Sequence, residues 1–472
     1  MVSNGTRRER ATATNNDSAF IRQEDAPILP PPITSAGIAG WLYDNIFASM
    51  LDFSTLGAAV KSILMAIFTA FVAYIFVDQV YGLLDFAIFS AVWQDPEEQK
   101  RQVCWTIEQG GKLPNGWHGA CWPYIIAKTK FILYGAYPNE SLWRVNSTYL
   151  LGTILLVWVM IDRLPYRKLV GAVLLTIYPI FATVMLTGGG FGLSQFSVGV
   201  NTIVGLALIS LGRAGKMGWI TGPLLDLSKM AGVAGWFFIF FAAALVSVGV
   251  DFDLPKVDTR DWGGLLITLV VATTAIVVSL PLGILLALGR RSSLPVARTL
   301  SIIFIEFWRG VPLITVLFMA SVMIPLFMPE GVNFDSLLRA LIGVTLWQSA
   351  YMAEVIRGGL QAIDKGQYEG ADAVGLSYWQ SMRLIILPQA LTRVLPGIVN
   401  TIISVFKDTS LVSIVGLFDL LGATQATIAD AAWSTPVQAS TGYLVVALIF
   451  FVFCFGMSRY SMYIERKLDR GH

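Results

Sequence analysis

Charge is scarce in this chain. Asp, Glu, Lys and Arg make up 14% of its 472 residues, where soluble domains run near a quarter. Histidine occurs twice and cysteine three times. Nowhere do the two approach metal-ligand spacing, so no metal centre is expected. No Gly-x-x-x-x-Gly-Lys-Ser/Thr loop is present, so the chain is not expected to hydrolyse ATP itself. The apolar runs hold no nucleophile–base arrangement and no paired catalytic carboxylates, which argues against a membrane enzyme. Net charge is only +2 with no basic stripe, which excludes nucleic acid as a partner. The alternation of a membrane barrel is also missing.

What the chain has instead is apolar length, with 55% of its residues hydrophobic. Runs of about 18 residues or more are long enough to cross a lipid core, and backbone in lipid must satisfy its own hydrogen bonds, so these runs read as helices. Ten spans are expected, near 55–77, 147–161, 169–187, 196–212, 232–250, 263–288, 310–328, 337–357, 393–416 and 441–460. Arg163, Arg167, Lys168, Arg213, Lys216, Arg290, Arg291, Arg298, Arg357, Lys365, Arg383, Arg393, Arg459, Arg466, Lys467 and Arg470 then fall on one side. The positive-inside tendency makes that side cytoplasmic, with both termini there. Residues 1–50 read as a flexible cytoplasmic arm, whose polar start carries Arg7, Arg8 and Arg10 without the apolar core of a signal peptide.

The first outer loop, 79–146, is long and holds Trp93, Trp105, Trp117, Trp122 and Trp143. An amphipathic helix near 79–93 along the membrane face is expected in it. Its tryptophans read as an interfacial aromatic belt or as a dock for a second chain. Cys104 and Cys121 lie in this loop, and Cys454 in the last span. On spacing alone the loop pair reads as a disulfide in an oxidising compartment or as two free thiols.

The segment between spans eight and nine is too polar to span. It reads Gly366-Gln367-Tyr368-Glu369-Gly370-Ala371-Asp372-Ala373-Val374-Gly375 and continues to Arg383-Leu384-Ile385-Ile386-Leu387-Pro388. Gly375 permits a turn or a close backbone approach, and Pro388 should end the segment that precedes it. A short helix held at the inner surface between two spans can serve as a knob for a cytoplasmic partner, whose motion would pass to those spans as a rigid body.

These residues resemble the cytoplasmic signature of ABC-importer permeases. That signature is Glu-Ala-Ala, three residues, Gly, nine residues, Ile, one residue, Leu-Pro. Glu369, Gly370, Ala371, Gly375, Ile385, Leu387 and Pro388 match it, with Gly370 standing where the family has alanine. The stretches 305–313, 351–359, 387–390 and 406–411 (Phe406-Lys407-Asp408-Thr409-Ser410-Leu411) are similar to the polar, histidine/glutamate-type amino-acid branch. Gly119-Ala120-Cys121-Trp122 is similar to one membrane subunit of bacterial general L-amino-acid transporters. The likeness covers 258–465, and about 65 residues with two extra spans stand between Gly192 and Trp262.

The resemblance implies an all-α integral membrane protein of the bacterial inner membrane. A five-span type I ABC-importer permease core, 258–465, would follow a multi-span extension, 51–257, and precede a tail, 466–472. It implies a coupling helix within 366–388, with Glu369, Gly370, Ala371, Asp372, Gly375, Leu387 and Pro388 meeting the ATPase. The implied partners are two ABC ATPase subunits carrying ATP and Mg, a second homologous permease, a periplasmic amino-acid-binding protein and an amino-acid substrate. No cofactor is implied for this chain. A secondary active transporter of small polar solutes is the alternative, to which the midplane charge is suited but the helical knob is superfluous.

Two further groups stand out. Glu306 and Arg309 lie three apart on one helix face, as do Glu354 and Arg357. They read as gating or intersubunit ion pairs, or as interfacial charges that snorkel to the headgroups. Lys407 and Asp408, with Thr409 and Ser410 beside them, fall well inside a span, roughly 20 Å from Arg393 along a helix. Charge at that depth faces a bundle or a wet cavity. The cluster reads as lining the substrate path or as a buried packing pair.

Overall fold

The computed structural model describes residues 56–93, 101–190, 195–219, 224–327 and 335–469. The arm at 1–50 and the final residues 470–472 of the tail lie outside them. The chain divides into two units, Met1–Asp85 and Phe86–His472. Of the first, the described part is α1 (Leu56–Leu84), which runs on into a π turn, Asp85–Phe89. No separate surface helix forms at 79–93. No proline falls between 56 and 95, and the lone Gly82 does not stop an apolar run, so α1 continues instead.

The second unit is helical throughout, with only isolated bridges and no strand among the described residues. A short helix, α2 (Trp122–Tyr134), precedes a hairpin of α3 (Leu142–Met160) and α4 (Arg167–Thr187), then a second hairpin of α5 (Gln195–Lys216) and α6 (Leu224–Gly249). Next come α7 (Leu265–Arg290), α8 (Pro295–Gly310), α9 (Leu313–Phe318) and α10 (Ser336–Gln361). The expected coupling segment forms α11 (Lys365–Ala373), α12 (Tyr378–Ser381) and α13 (Leu387–Arg393). The chain ends with α14 (Leu395–Asp408), α15 (Leu420–Ile428) and α16 (Gln438–Asp469).

Within the described residues each of the ten expected runs is largely helical, although the one at 310–328 is interrupted. Among the described residues, eight helices are long and apolar enough to cross a membrane, or nine if α8 and the piece Leu313–Leu326, bent by 104°, count as one span. That bend is a correction. The span expected at 310–328 is preceded by α8, and Val311-Pro312 breaks the two apart because proline cannot donate to the preceding turn. α10 falls short of that apolarity because it carries Arg339, Glu354 and Arg357. It tolerates them as the most protein-enclosed of the helices, with thirteen buried residues from Leu337 to Leu360. A Cβ at Gly283 would lie 2.8 Å from the Met352 Cβ, so only glycine lets α7 pack this closely on α10. The tail expected from 466 is the end of α16, helical to Asp469.

The two ends of the second unit differ in chemistry. At one, Asp162 in the α3–α4 turn pairs with Arg167 at 2.5 Å and Lys467 at 2.6 Å, and accepts from the Tyr463 hydroxyl at 3.1 Å. These partners hold the Asp162 carboxyl below its usual range, the Lys467 hydrogen bond most of all. At the other end Cys104 and Cys121 form a disulfide. Their loop packs with Tyr124, Trp433 and Val437. Arg144, 1% exposed, donates there to Met185 O at 2.5 Å and Pro255 O at 2.7 Å. With no carboxylate in its bonds, it leans on the negative end of α4.

Candidate coupling and translocation sites

α11 stands on a buried footing. Ala371 is buried beneath it, and Met382, Ile386 and Ala390 of the following helices join Met352, Ile356 and Leu360 of α10 in one cluster. Lys365, Gly366, Gln367, Glu369, Gly370 and Asp372 face outward. Gly375 adopts φ +76°, the left-handed value that turns the chain after α11. Val374, Tyr378, Trp379 and Leu384 are large apolar side chains exposed beside it. The result is a polar helical knob with an apolar flank.

Pro388 does not end a helix. It occupies the first turn of α13, where a missing N–H is tolerated, after a π turn Met382–Ile386 has absorbed the break. Leu387 is half-buried at that junction and Pro388 is exposed.

The knob is braced from both sides. Arg291, just past α7, donates from Nη1 to Leu360 O at 2.8 Å and to the Tyr368 hydroxyl at 3.0 Å. Its guanidinium also lies 5.5 Å from the Tyr368 ring centroid, and Tyr368 donates to Leu360 O at 3.1 Å. On the far side Gln389 Nε2 donates to Gln367 Oε1 at 3.0 Å, and Arg393 pairs with Asp364 at 3.8 Å. Arg291, Leu360, Tyr368, Asp372, Tyr378 and Met382 line a cavity of about 230 Å³ behind the knob.

The four expected ion-pair residues come together in one cluster, but with changed partners. Glu306 does not pair with Arg309. It accepts from Arg290 at 2.8 Å, because α8 folds back beside α7. Glu354 is the hub, paired with Arg357 at 2.7 Å, Arg290 at 3.1 Å and Arg309 at 3.5 Å. Its side chain is 15% exposed, so three guanidinium groups share one partly enclosed carboxylate. Arg309 also stands over the Tyr351 ring, 5.8 Å from its centroid.

Lys407 and Asp408 do not pair, as neighbours on a helix point apart. Lys407 is exposed, with no hydrogen bond or ion pair among the described residues. Asp408 is half-buried and accepts from Ser404 Oγ at 3.3 Å. Thr409 is buried and donates to Phe406 O at 2.8 Å, and the Ser410 carbonyl accepts from Ser413. α14 gives way here to a 3-10 turn, Thr409–Val415. No group of His, Cys, Asp and Glu able to hold a metal occurs among the described residues.

Arg290, Arg291 and Tyr368 are site residues that the sequence pattern did not single out. The arginines served only as topology markers, and Tyr368 lay inside the quoted motif unremarked. The available signal was the Arg290-Arg291 pair at the end of an apolar run, of which Arg290 meets Glu306 and Glu354 and Arg291 meets Tyr368.

The chain belongs to the permease subunits of amino-acid ABC transporters. Residues 279–470 match the family described as "Binding-protein-dependent transport system inner membrane component". The chain is 45% identical to the inner membrane amino-acid ABC transporter permease protein YhdY of Escherichia coli, over 75% of this chain and 79% of that protein. It is 40% identical to the glutamate/glutamine/aspartate/asparagine transport system permease protein BztC of Rhodobacter capsulatus, over 97% of this chain and 100% of that one. A solved structure described as an amino acid ABC transporter with histidines aligns at 29% identity, with 43% of this chain and 92% of that chain covered and a TM-score of 0.39. Membership makes this chain a multi-span, non-enzymatic translocation subunit.

Proposed function

We propose that this chain forms half of the translocation path of a bacterial inner-membrane amino-acid importer and is driven through α11. A second homologous permease supplies the other half, and two ATPase subunits holding ATP and Mg sit beneath. A periplasmic binding protein delivers the amino acid. The end bearing α11 and the Asp162 cluster is cytoplasmic, both termini included, and the disulfide end is periplasmic. In this reading 258–465 is the permease core and 51–257 an extension.

The observation that carries the reading is the braced, outward-facing knob. Glu369, Gly370, Asp372 and the turn at Gly375 are exposed, while Ala371 and the residues under it are buried. The exposed glycine at 370 lets a partner surface approach closely, while Ala371 packs inward. Closure of the ATPases pushes α11, and its rigid connection to α7 and α10 passes the push to the path. Lys407, Asp408, Thr409 and Ser410 are assigned to that path. Lys407, a cation at span depth with no ion pair among the described residues, suits the carboxylate of an amino acid. Glu306, Arg309, Glu354 and Arg357, with Arg290, latch the inner ends of α7, α8 and α10 together and part or tighten as the path opens.

Gly370→Trp tests the knob. The bulky side chain should block ATPase docking, so the ATPase no longer co-purifies while the permease pair still assembles. Normal ATPase recovery with normal uptake would overturn the assignment of α11.

A further inference from the structure

Residues 101–134 of the extension lie along the disulfide end of the core. Lys128 of α2 pairs with Asp430 at 2.6 Å, and the Tyr124 hydroxyl meets Thr427 Oγ1 at 2.6 Å. Cys121 N donates to Thr441 Oγ1 at 3.1 Å, and Gln109 Nε2 to Ser434 O at 3.4 Å. Through these contacts the loop covers the turn 431–433 and the start of α16.

The tip of this loop is built stiff. The Cys104–Cys121 disulfide closes its base. Ile107 N donates to Leu113 O at 2.9 Å, and Leu113 N to Trp105 O at 3.1 Å. Asn115 Nδ2 donates to Glu108 Oε1 at 2.9 Å, and Gln109 Oε1 accepts from Thr106 N at 3.2 Å. All this bracing displays Ile107, 63% exposed, and Lys112, exposed with no partner among the described residues.

We infer that this braced tip is part of the surface on which the soluble amino-acid-binding protein docks, an inference that rests on the importer reading. A protein that feeds the core must seat on its outer end, and the loop already covers the 431–441 side of that end. A preorganised apolar side chain forfeits little entropy on binding, which makes Ile107 an anchor. Lys112 beside it calls for a carboxylate on the partner and steers its approach. The disulfide belongs on the oxidising side, where that partner works.

The test uses the full complex in nanodiscs, with ATPase activity followed as amino-acid-loaded binding protein is titrated. In the Ile107→Asp, Lys112→Glu double variant the concentration for half-maximal stimulation should rise about tenfold or more, with basal ATPase and assembly unchanged. A shift below about twofold means that the loop only stabilises the core, and it overturns the inference. If the double variant fails to assemble, a photo-crosslinking residue at Lys112 decides. It should trap the binding protein, and no adduct counts against the surface. A wild-type complex that no binding protein stimulates would sink the importer reading itself, a separate result from a stimulated complex indifferent to the tip.

Discussion

Arg291 and Tyr368 meet twice, by a 3.0 Å hydrogen bond from Nη1 to the hydroxyl and by the guanidinium lying 5.5 Å from the ring centroid. Arg291 closes α7, Tyr368 stands in α11, and both bond Leu360 O at the end of α10. The contact therefore ties the knob to two helices of the core. Tyr368→Phe keeps the ring and removes the hydroxyl, a loss of about 1 kcal/mol. Arg291→Ala removes the whole link. Both should raise the ATP hydrolysed per amino acid transported, Arg291→Ala more, while the complex still assembles. An unchanged ratio in Arg291→Ala would show that the push travels another way.

Glu354 holds three arginines with one carboxylate. Glu354→Gln keeps the shape and removes the charge, leaving Arg290, Arg309 and Arg357 to repel one another. A charge-assisted bond in a partly enclosed site contributes about 2 kcal/mol, so the melting temperature of the complex should fall by several degrees. Adding Arg290→Gln should restore part of the loss, since it removes one of the repelling cations. If the second change deepens the loss additively, the two residues act independently and the latch is not one unit.

Much of this was legible in the sequence. Apolar length pointed to the helices, because that signal is local and the bilayer imposes it on sequence directly. The knob was legible because Glu369, Ala371, Gly375 and Leu387 sit at fixed spacing. Partner choice was not. Helical periodicity points Glu306 to Arg309, yet after the short turn past Arg290 α8 runs back beside α7 and hands Glu306 to Arg290, sixteen residues earlier. Such a fold-back is tertiary, and no local spacing encodes it. Pro388 misled for a related reason, since a π turn can deliver proline to the start of a new helix as readily as proline can stop an old one.

Asp419 caps α15, accepting from Gly422 N at 2.9 Å and Leu421 N at 3.1 Å while fully buried. Burial raises its pKa from the ordinary 3.8 to about 6. The folded state therefore holds this proton more tightly than the unfolded chain does. Its stabilising contribution is complete at acid pH and is lost as pH rises through about 6. Asp419→Asn keeps the cap acceptor without the charge. The melting temperature of the variant relative to wild type should climb between about pH 4 and 6 and then level off. A pH-independent difference would show that Asp419 is equally ionised in both states.

Lys407 is the exposed cation on α14. Lys407→Met should abolish uptake, with recovery of the assembled complex within about twofold of wild type, because no bond among the described residues is lost. Lys407→Arg should retain part of the uptake. Loss of assembly in Lys407→Met would place the residue in subunit packing rather than on the path.

The central claim is that this chain moves amino acids only when a separate ATPase works on its knob. The direct measurement is amino-acid uptake into proteoliposomes holding the purified complex, with and without the ATPase subunits and with ATP inside. Uptake that needs the ATPase and ATP, from a preparation in which the tagged chain brings the ATPase and a second permease in stoichiometric amounts, is the predicted result. A chain that purifies alone and transports equally well without ATPase would contradict it.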